Sequence, residues 1–298
     1  MTGGAKVSLT PPPTKGEADW AVSLRKRQRL SIWEGNKAPG ESTRSTGEAL
    51  PERAADNPKI TRIKDITWPT MEVFAPATGA NGTAVVILPG GGFNYVVPDL
   101  EGSEAAAFLN EQGITAFVLN YRTKAANAKG PAWQRPLQDS QRAIRYLRAN
   151  ASQWQLDPNK IGLLAFSAGG QVGAIHIGNH GDVYKASDNI DKESARPDFA
   201  LLVYPWQVGD NKTGKLMPEI QLDAQSPPTF IVHTSDDRSS SLGAVSIYTA
   251  LKQADVSAEL HVYQNGGHGY GTRHRNNSVI GTWPTRAKQW LRIRSLGR

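Results

Sequence analysis

Cysteine is absent from all 298 residues. That excludes disulfides, thiol nucleophiles and thiolate-held metals, and it leaves the redox compartment open. No stretch approaches the ~20 apolar residues that cross a bilayer, so no membrane span is expected. The first residues lack a basic segment followed by an apolar one, so no signal peptide is expected there. No internal repeat is visible. Acidic charge is the scarcer sign: 34 Lys and Arg against 27 Asp and Glu leave a net +7. Nucleic-acid binding would want that charge gathered on a patch with interleaved aromatics. The one dense cluster is Arg25-Lys26-Arg27-Gln28-Arg29, in a polar N-terminal segment, and it reads as a solvated face. The other basic residues are scattered, so no nucleic-acid partner is expected.

What is present is a chain long enough for one large domain or two small ones. Its 39% hydrophobic and 20% charged residues are ordinary for a globular protein. Residues 1–58 are rich in Pro, Gly, Thr and charge. Pro11-Pro12-Pro13 and the stretch APGESTRSTGEALPE at 38–52 argue against a packed core of their own. The expectation is an N-terminal extension over 1–58, wrapped on the main domain, with its first residues disordered. A short helix or extended arm is expected over 23–33.

From residue 60 the pattern becomes regular. Residues 71–74 read as an alternating strand. Residues 83–88, TAVVIL, read as a buried strand stopped by Pro89 and three glycines. An alanine-rich helix over 101–112 ends at Gly113, in the C′ position that favours a left-handed glycine. Residues 114–119 are another buried strand. Residues 137–149 form an amphipathic helix with Leu137, Ile144 and Leu147 on one face and the arginines mostly elsewhere. A strand over 160–166 runs into a helix from Ala168. Further strands are expected over 199–204, 229–233 and 259–263, with helices over 242–253 and 285–293. Apolar strands alternating with helices imply a mainly parallel sheet covered on both faces, hence one α/β domain with no second core.

Chemistry is concentrated at strand ends. IGLLAFSAGGQVGA at 161–174 places Ser167 between an apolar strand and a helix, with Ala165 and Gly169 two residues to either side. A sharp strand-to-helix turn that lifts a serine out needs such small neighbours. A serine merely capping the helix would not need them. A base and a carboxylate must follow for the hydroxyl to act. FIVHTSDDRSS at 230–240 offers Asp236 and Asp237 after a strand. NGGHGYG at 265–271 offers His268 in a glycine-rich loop, where a ring can swing over a nucleophile. His233 and His261 read as packed strand residues, and His274 lies in a polar loop. Oxyanion donors are expected from the amide of Ala168 and from Gly91 and Gly92 in the LPGGGF loop. Glycines there let the backbone approach closely and take positive φ. Phe93, Asn94, Tyr95 and Trp206, with the polar segments 182–197 and 205–227, are expected to shape the pocket. No long apolar lid appears, which argues against a triglyceride lipase.

PGGGF, ITAFVLNYR, PLQDSQRAIRYLR, LDPNKIGLLAFSAGG, PDFALLVYP, PPTFIVHTSDD and ELHVYQNGGHGYG together resemble bacterial acetyl-xylan and feruloyl esterase-like α/β-hydrolases, near the hormone-sensitive-lipase-like esterases. Ser31-Ile32-Trp33-Glu34-Gly35 and Ala38-Pro39-Gly40 resemble that group's N-terminal entry. The resemblance covers about 30–295. It implies an α/β-hydrolase catalytic domain over 59–298. It implies a Ser167–Asp237–His268 triad hydrolysing short acyl esters, acetyl foremost, on hemicellulose or small carbohydrate esters. His-x-x-x-Asp is common at this strand end, and Asp237 stands four past His233. It implies no metal, no cofactor and a periplasmic or secreted location. Pro89 replaces the histidine of the usual HGGG, Ala165 replaces a glycine, and Ser239-Ser240-Ser241 replace a valine-rich turn. The alternatives are a feruloyl esterase, a peptidase on the same fold, or a non-catalytic carbohydrate-binding scaffold.

Two motifs are set aside. GDNKTGKL at 209–216 approaches a phosphate-binding loop but ends in Leu216, without the hydroxyl for Mg²⁺. His176 and His180 have zinc spacing on a helix but no intervening glutamate next to His176. Asp139 and Arg142 read as surface or buttressing residues.

Overall fold

The computed structural model describes residues 28–33, 35, 38–124, 130–179 and 181–298. Strands in chain order are β1 (Arg29–Ser31), β2 (Thr46–Ala49), β3 (Ile63–Ile66), β4 (Thr70–Phe74), β5 (Ala84–Leu88), β6 (Tyr95–Val96), β7 (Thr115–Asn120), β8 (Ile161–Phe166), β9 (Ala200–Val203), β10 (Thr229–Thr234) and β11 (Ala258–Tyr263). The α-helices are α1 (Glu104–Asn110), α2 (Gln134–Ala149), α3 (Ser167–Gly178), α4 (Leu242–Gln253) and α5 (Trp283–Ile293). The main sheet has the order β1-β4-β7-β5-β8-β9-β10-β11. Its pairs from β7 to β11 are parallel. β4 and β1 extend it antiparallel at one edge. β2, β3 and β6 form a small antiparallel sheet.

Central strands bury both faces because helices cover both. Val86, Leu88, Leu163, Ala165, Leu202 and Ile231 point into one core with α2, α3 and α4. Their alternate neighbours Val85, Ile87, Leu164, Phe166, Leu201 and Val203 point into another with α1 and α5. The period of two in a strand makes that division. Each large aliphatic side chain so buried contributes about 2 kcal/mol. This is an α/β-hydrolase-type layering, and the parallel sheet read from the sequence is present.

Two expectations are corrected. The helix read over 101–112 is shorter. Asp99–Ser103 winds as a wider π turn before α1. The Asp99 carboxylate accepts the Leu100 and Thr61 amides there, and the turn aims Glu101 inward. Of the two forms expected over 23–33, Arg29–Ser31 takes the extended one, because it pairs with β4; Ser23 to Arg27 lie outside the described residues, as do residues 1–22. Ile32 and Trp33 are fully buried. The second correction concerns α2, whose arginines are not off the core. Arg142 and Asp139 are completely buried, and Arg145 nearly so.

These polar groups are buried in pairs. Asp139 accepts from the Arg122 Nε at 2.9 Å and from the Trp33 Nε1 at 3.1 Å. Arg142 donates to Asp188 at 2.7 Å, Asp191 at 2.8 Å and the Ile32 carbonyl at 2.7 Å. Asp191 also accepts from the Tyr184 hydroxyl at 2.6 Å and the Ser187 amide at 2.7 Å. Burial pushes the Asp191 carboxyl up, but these hydrogen bonds outweigh it and hold the pKa at about 2. A carboxylate with a depressed folded pKa contributes stability above its unfolded value, and that contribution is lost as pH falls toward the folded one. Asp191→Asn is therefore expected to cost about 3 kcal/mol of unfolding free energy at neutral pH. The gap should shrink between the ordinary value of 3.8 and about 2. Urea titrations of both proteins at neutral pH and near pH 3 measure it.

Candidate active site

β8, an interior strand, delivers Ser167 at its carboxyl end, and the backbone turns there with φ of +53°. A left-handed serine is strained and needs crowded surroundings to hold it. A Cβ at Gly169 would stand 2.2 Å from the Leu88 carbonyl oxygen, so only glycine fits. Ala165 tolerates its methyl because α3 carries Gly173 opposite. A Cβ on Gly173 would lie 2.8 Å from the Cβ of Ala165. The missing glycine of the motif is thus compensated by a glycine nearly two turns into α3.

Ser167 Oγ lies 2.7 Å from His268 Nε2. His268 Nδ1 lies 2.6 Å from Asp237 Oδ2. The other oxygen of Asp237 accepts the Ser239 amide at 2.9 Å. Ser239 Oγ accepts the Gln207 amide at 2.9 Å, so the serine-rich turn anchors Asp237. Asp236 faces elsewhere. It accepts the Gly267 and Gly266 amides at 2.9 and 3.2 Å, tying the histidine loop to the end of β10. The His268 ring packs edge-on against Tyr204 at 4.9 Å and Trp206 at 5.1 Å.

The glycine loop follows β5. Gly91 has φ of +132°, Gly92 +62° and Phe93 +65°. A Cβ on Gly91 would stand 2.0 Å from the Tyr95 carbonyl oxygen, and one on Gly90 would stand 2.6 Å from the Ser167 Cβ. The loop therefore touches the serine at backbone distance. The Gly90 amide is engaged by Glu101 at 2.7 Å. The amides of Gly91 and Gly92 have no protein acceptor among the described residues. Ala168 opens α3 beside Ser167. Of the expected pocket residues, Trp206 is half-buried against His268, Tyr95 is half-buried beyond the loop, and Asn94 is exposed. Phe93 is buried in the core with α2 and α3.

The motifs set aside find ordinary uses. His176 lies 2.8 Å from both Ser140 Oγ and the Ala195 carbonyl oxygen; His180 lies outside the described residues. In the 209–216 segment, Asp210 accepts the Lys212 and Thr213 amides, closing a turn on itself.

Three further residues stand at the site, and of these only His233 had a sequence signal, its place four before Asp237. Glu101 reads as a helix start but is buried behind the glycine loop. Burial pushes its carboxyl up, opposed by hydrogen bonds from Tyr204 and Gly90. Tyr204 reads as the end of a strand. His233 is buried, with its Nε2 4.0 Å from Asp237 Oδ2. Burial lowers its pKa from 6.5, which favours the neutral ring.

The BD-FAE family profile matches residues 71–196. An acetylxylan esterase of Xylanibacter ruminicola is 29% identical over 237 residues, covering 72% of this chain and 44% of that protein. The acetyl ester-xyloside bifunctional hydrolase of Caldicellulosiruptor lactoaceticus superposes with a TM-score of 0.71 at 27% identity, covering 91% of this chain and 97% of that one. The chain has the α/β-hydrolase fold and is similar to its acetyl-xylan and feruloyl esterase-like branch. This α/β-hydrolase is also 29% identical over 204 residues to endo-1,4-beta-xylanase B of Butyrivibrio fibrisolvens, covering 62% of the chain and 32% of that protein. It spans less than half the length of either of these two sequence relatives. Esterase 2 of Thermogutta terrifontis shares the fold, with a TM-score of 0.65 at 20% identity over 85% of this chain and 96% of that one in the propionate-bound form.

Proposed function

We propose that this α/β-hydrolase is a serine carboxylesterase that removes short acyl groups, acetyl foremost, from hemicellulose or small carbohydrate esters. The reading rests above all on one observation: Ser167, His268 and Asp237 form a continuous hydrogen-bonded chain, at 2.7 and 2.6 Å, against a glycine loop. The named relatives support the substrate class. Residues 59–298 act as the catalytic domain and 1–58 as its extension.

His268 Nε2 takes the Ser167 proton as Oγ attacks the ester carbonyl carbon. Asp237 orients the ring through Nδ1 and offsets the imidazolium charge. The amides of Ala168, Gly91 and Gly92 hold the oxyanion, each contributing roughly 3 kcal/mol of barrier lowering. The carbonyl re-forms, the C–O bond breaks, and the alcohol leaves with the proton from His268. Water then attacks the acyl-enzyme with the same assistance, releasing the acid and restoring Ser167. Trp206, Tyr95 and Asn94 shape the mouth through which the acyl group and sugar enter.

A series of p-nitrophenyl esters tests the acyl group, and acetylated xylan tests the alcohol. Acetate should be the best acyl group, with kcat/KM falling about tenfold or more toward octanoate, since each added methylene must find room. Acetate should be released from the polysaccharide. A preference for feruloyl esters would move the acyl assignment. Peptide cleavage, or no turnover of any ester, would favour the peptidase or the scaffold reading.

A further inference from the structure

The glycine loop after β5 and the loop carrying His268 are distant in sequence, yet one buried side chain meets both. Glu101 is 4% exposed. Its Oε2 accepts the Gly90 amide at 2.7 Å. Its Oε1 accepts the Tyr204 hydroxyl at 2.7 Å. That hydroxyl in turn accepts the Gly271 amide at 2.9 Å, three residues past His268. The Tyr204 ring also lies edge-on to the His268 ring. We propose that Glu101 is a positioning residue: its two oxygens hold the Gly90–Gly92 loop and, through Tyr204, the His268 loop at a set spacing around Ser167. The proposal rests on the esterase reading above.

Packing alone does not account for this carboxyl. Removing it from water is expensive, and no lysine or arginine pairs with it among the described residues. An aliphatic side chain would fill the space at lower cost. Tyr204 is also held with φ of +39°, a conformation that bulky residues rarely adopt. Strain of this kind persists only where the surroundings impose it. There is little slack between the parts. A Cβ at Gly90 would stand 2.6 Å from both Glu101 Oε2 and the Ser167 Cβ, so the carboxylate sits directly behind the donor loop and the nucleophile. A change in its reach is transmitted to the loop rather than absorbed.

Glu101→Asp keeps the carboxyl but shortens it by one methylene, so it can no longer reach both partners. Tyr204→Phe keeps the ring and cuts the link to the histidine loop. With p-nitrophenyl acetate, Glu101→Asp should lower kcat about a hundredfold and leave KM within about twofold, because a small misplacement of reacting groups costs that much. Tyr204→Phe should lower kcat about tenfold. The double variant should be no slower than Glu101→Asp, since both cut one chain of contacts. Hydrogen exchange followed by mass spectrometry should show faster exchange in 89–93 and 266–271 in Glu101→Asp, with the rest of the sheet unchanged. Wild-type kcat in both variants, an effect confined to KM, or independent multiplication of the two losses would overturn the proposal. An inactive wild type with the exchange coupling intact would instead overturn the esterase reading and leave the linkage standing.

Discussion

Ser167→Ala should lower ester turnover about a millionfold, to what the oxyanion site and binding supply alone. The serine is 2.7 Å from His268 and has no neighbour among the motif residues able to replace its hydroxyl as nucleophile. Ala168, Gly169 and Gly170 follow it, and Phe166 precedes it. Ser167→Gly carries a second expectation of opposite sign. The φ of +53° is strained for any side chain and free for glycine. This variant should be about 1 kcal/mol more stable to unfolding while being equally inactive. Dead and more stable together would mean that the strain is held for the chemistry. Retained esterase activity in either variant, measured with p-nitrophenyl acetate on protein purified away from host esterases, would remove Ser167 as nucleophile.

The next largest effect falls on the acid. Asp237→Asn should lower kcat about ten-thousandfold. Asp237 accepts two hydrogen bonds, one on each oxygen, from His268 Nδ1 and from the Ser239 amide. Asparagine offers only one oxygen. Its NH₂ must face either the Ser239 amide, donor against donor, or the imidazole, which then keeps its proton on Nε2. In that tautomer the ring cannot take the proton of Ser167. Asp236→Asn should cost about tenfold or less, because it loosens only the loop amides of Gly266 and Gly267. Steady-state rates on the two variants, with folding checked by circular dichroism, decide between the neighbours. Equal losses, or a larger loss at 236, would reassign the acid.

The choice between these aspartates shows where the sequence stops being legible. Both stand after the same apolar strand, one residue apart, and local pattern treats them alike. Only the path of the chain 31 residues later decides which faces the ring. Glu101 and Tyr204 are a stronger case. They are 103 residues apart, and neither carries a motif, so nothing local marks their contact. Arg142 and Asp139 were legible as helical residues but not as buried ones. Their burial depends on Trp33 and on Asp188 and Asp191 arriving from distant segments. The helix read from residue 101 was shortened for the same reason, since Asp99 takes the Thr61 amide from another part of the chain.

The reverse holds for the elbow. An apolar run, a serine and small residues around it describe a turn that is decided within a few residues of itself. The left-handed C′ glycine at 113 is such a local demand, whereas the exclusion at Gly169 comes from the Leu88 carbonyl on another strand. By itself the sequence determined the order of the parallel strands and their helices and the set of residues able to do the chemistry, because periodicity and turn sterics act over short range; β2, β3 and β6 were not legible in it. The tertiary structure alone decided which carboxylate meets His268, how Ala165 is accommodated by Gly173, and that Glu101 ties two loops together, because hydrogen-bond geometry between distant segments exists only once the sheet has brought them to one edge.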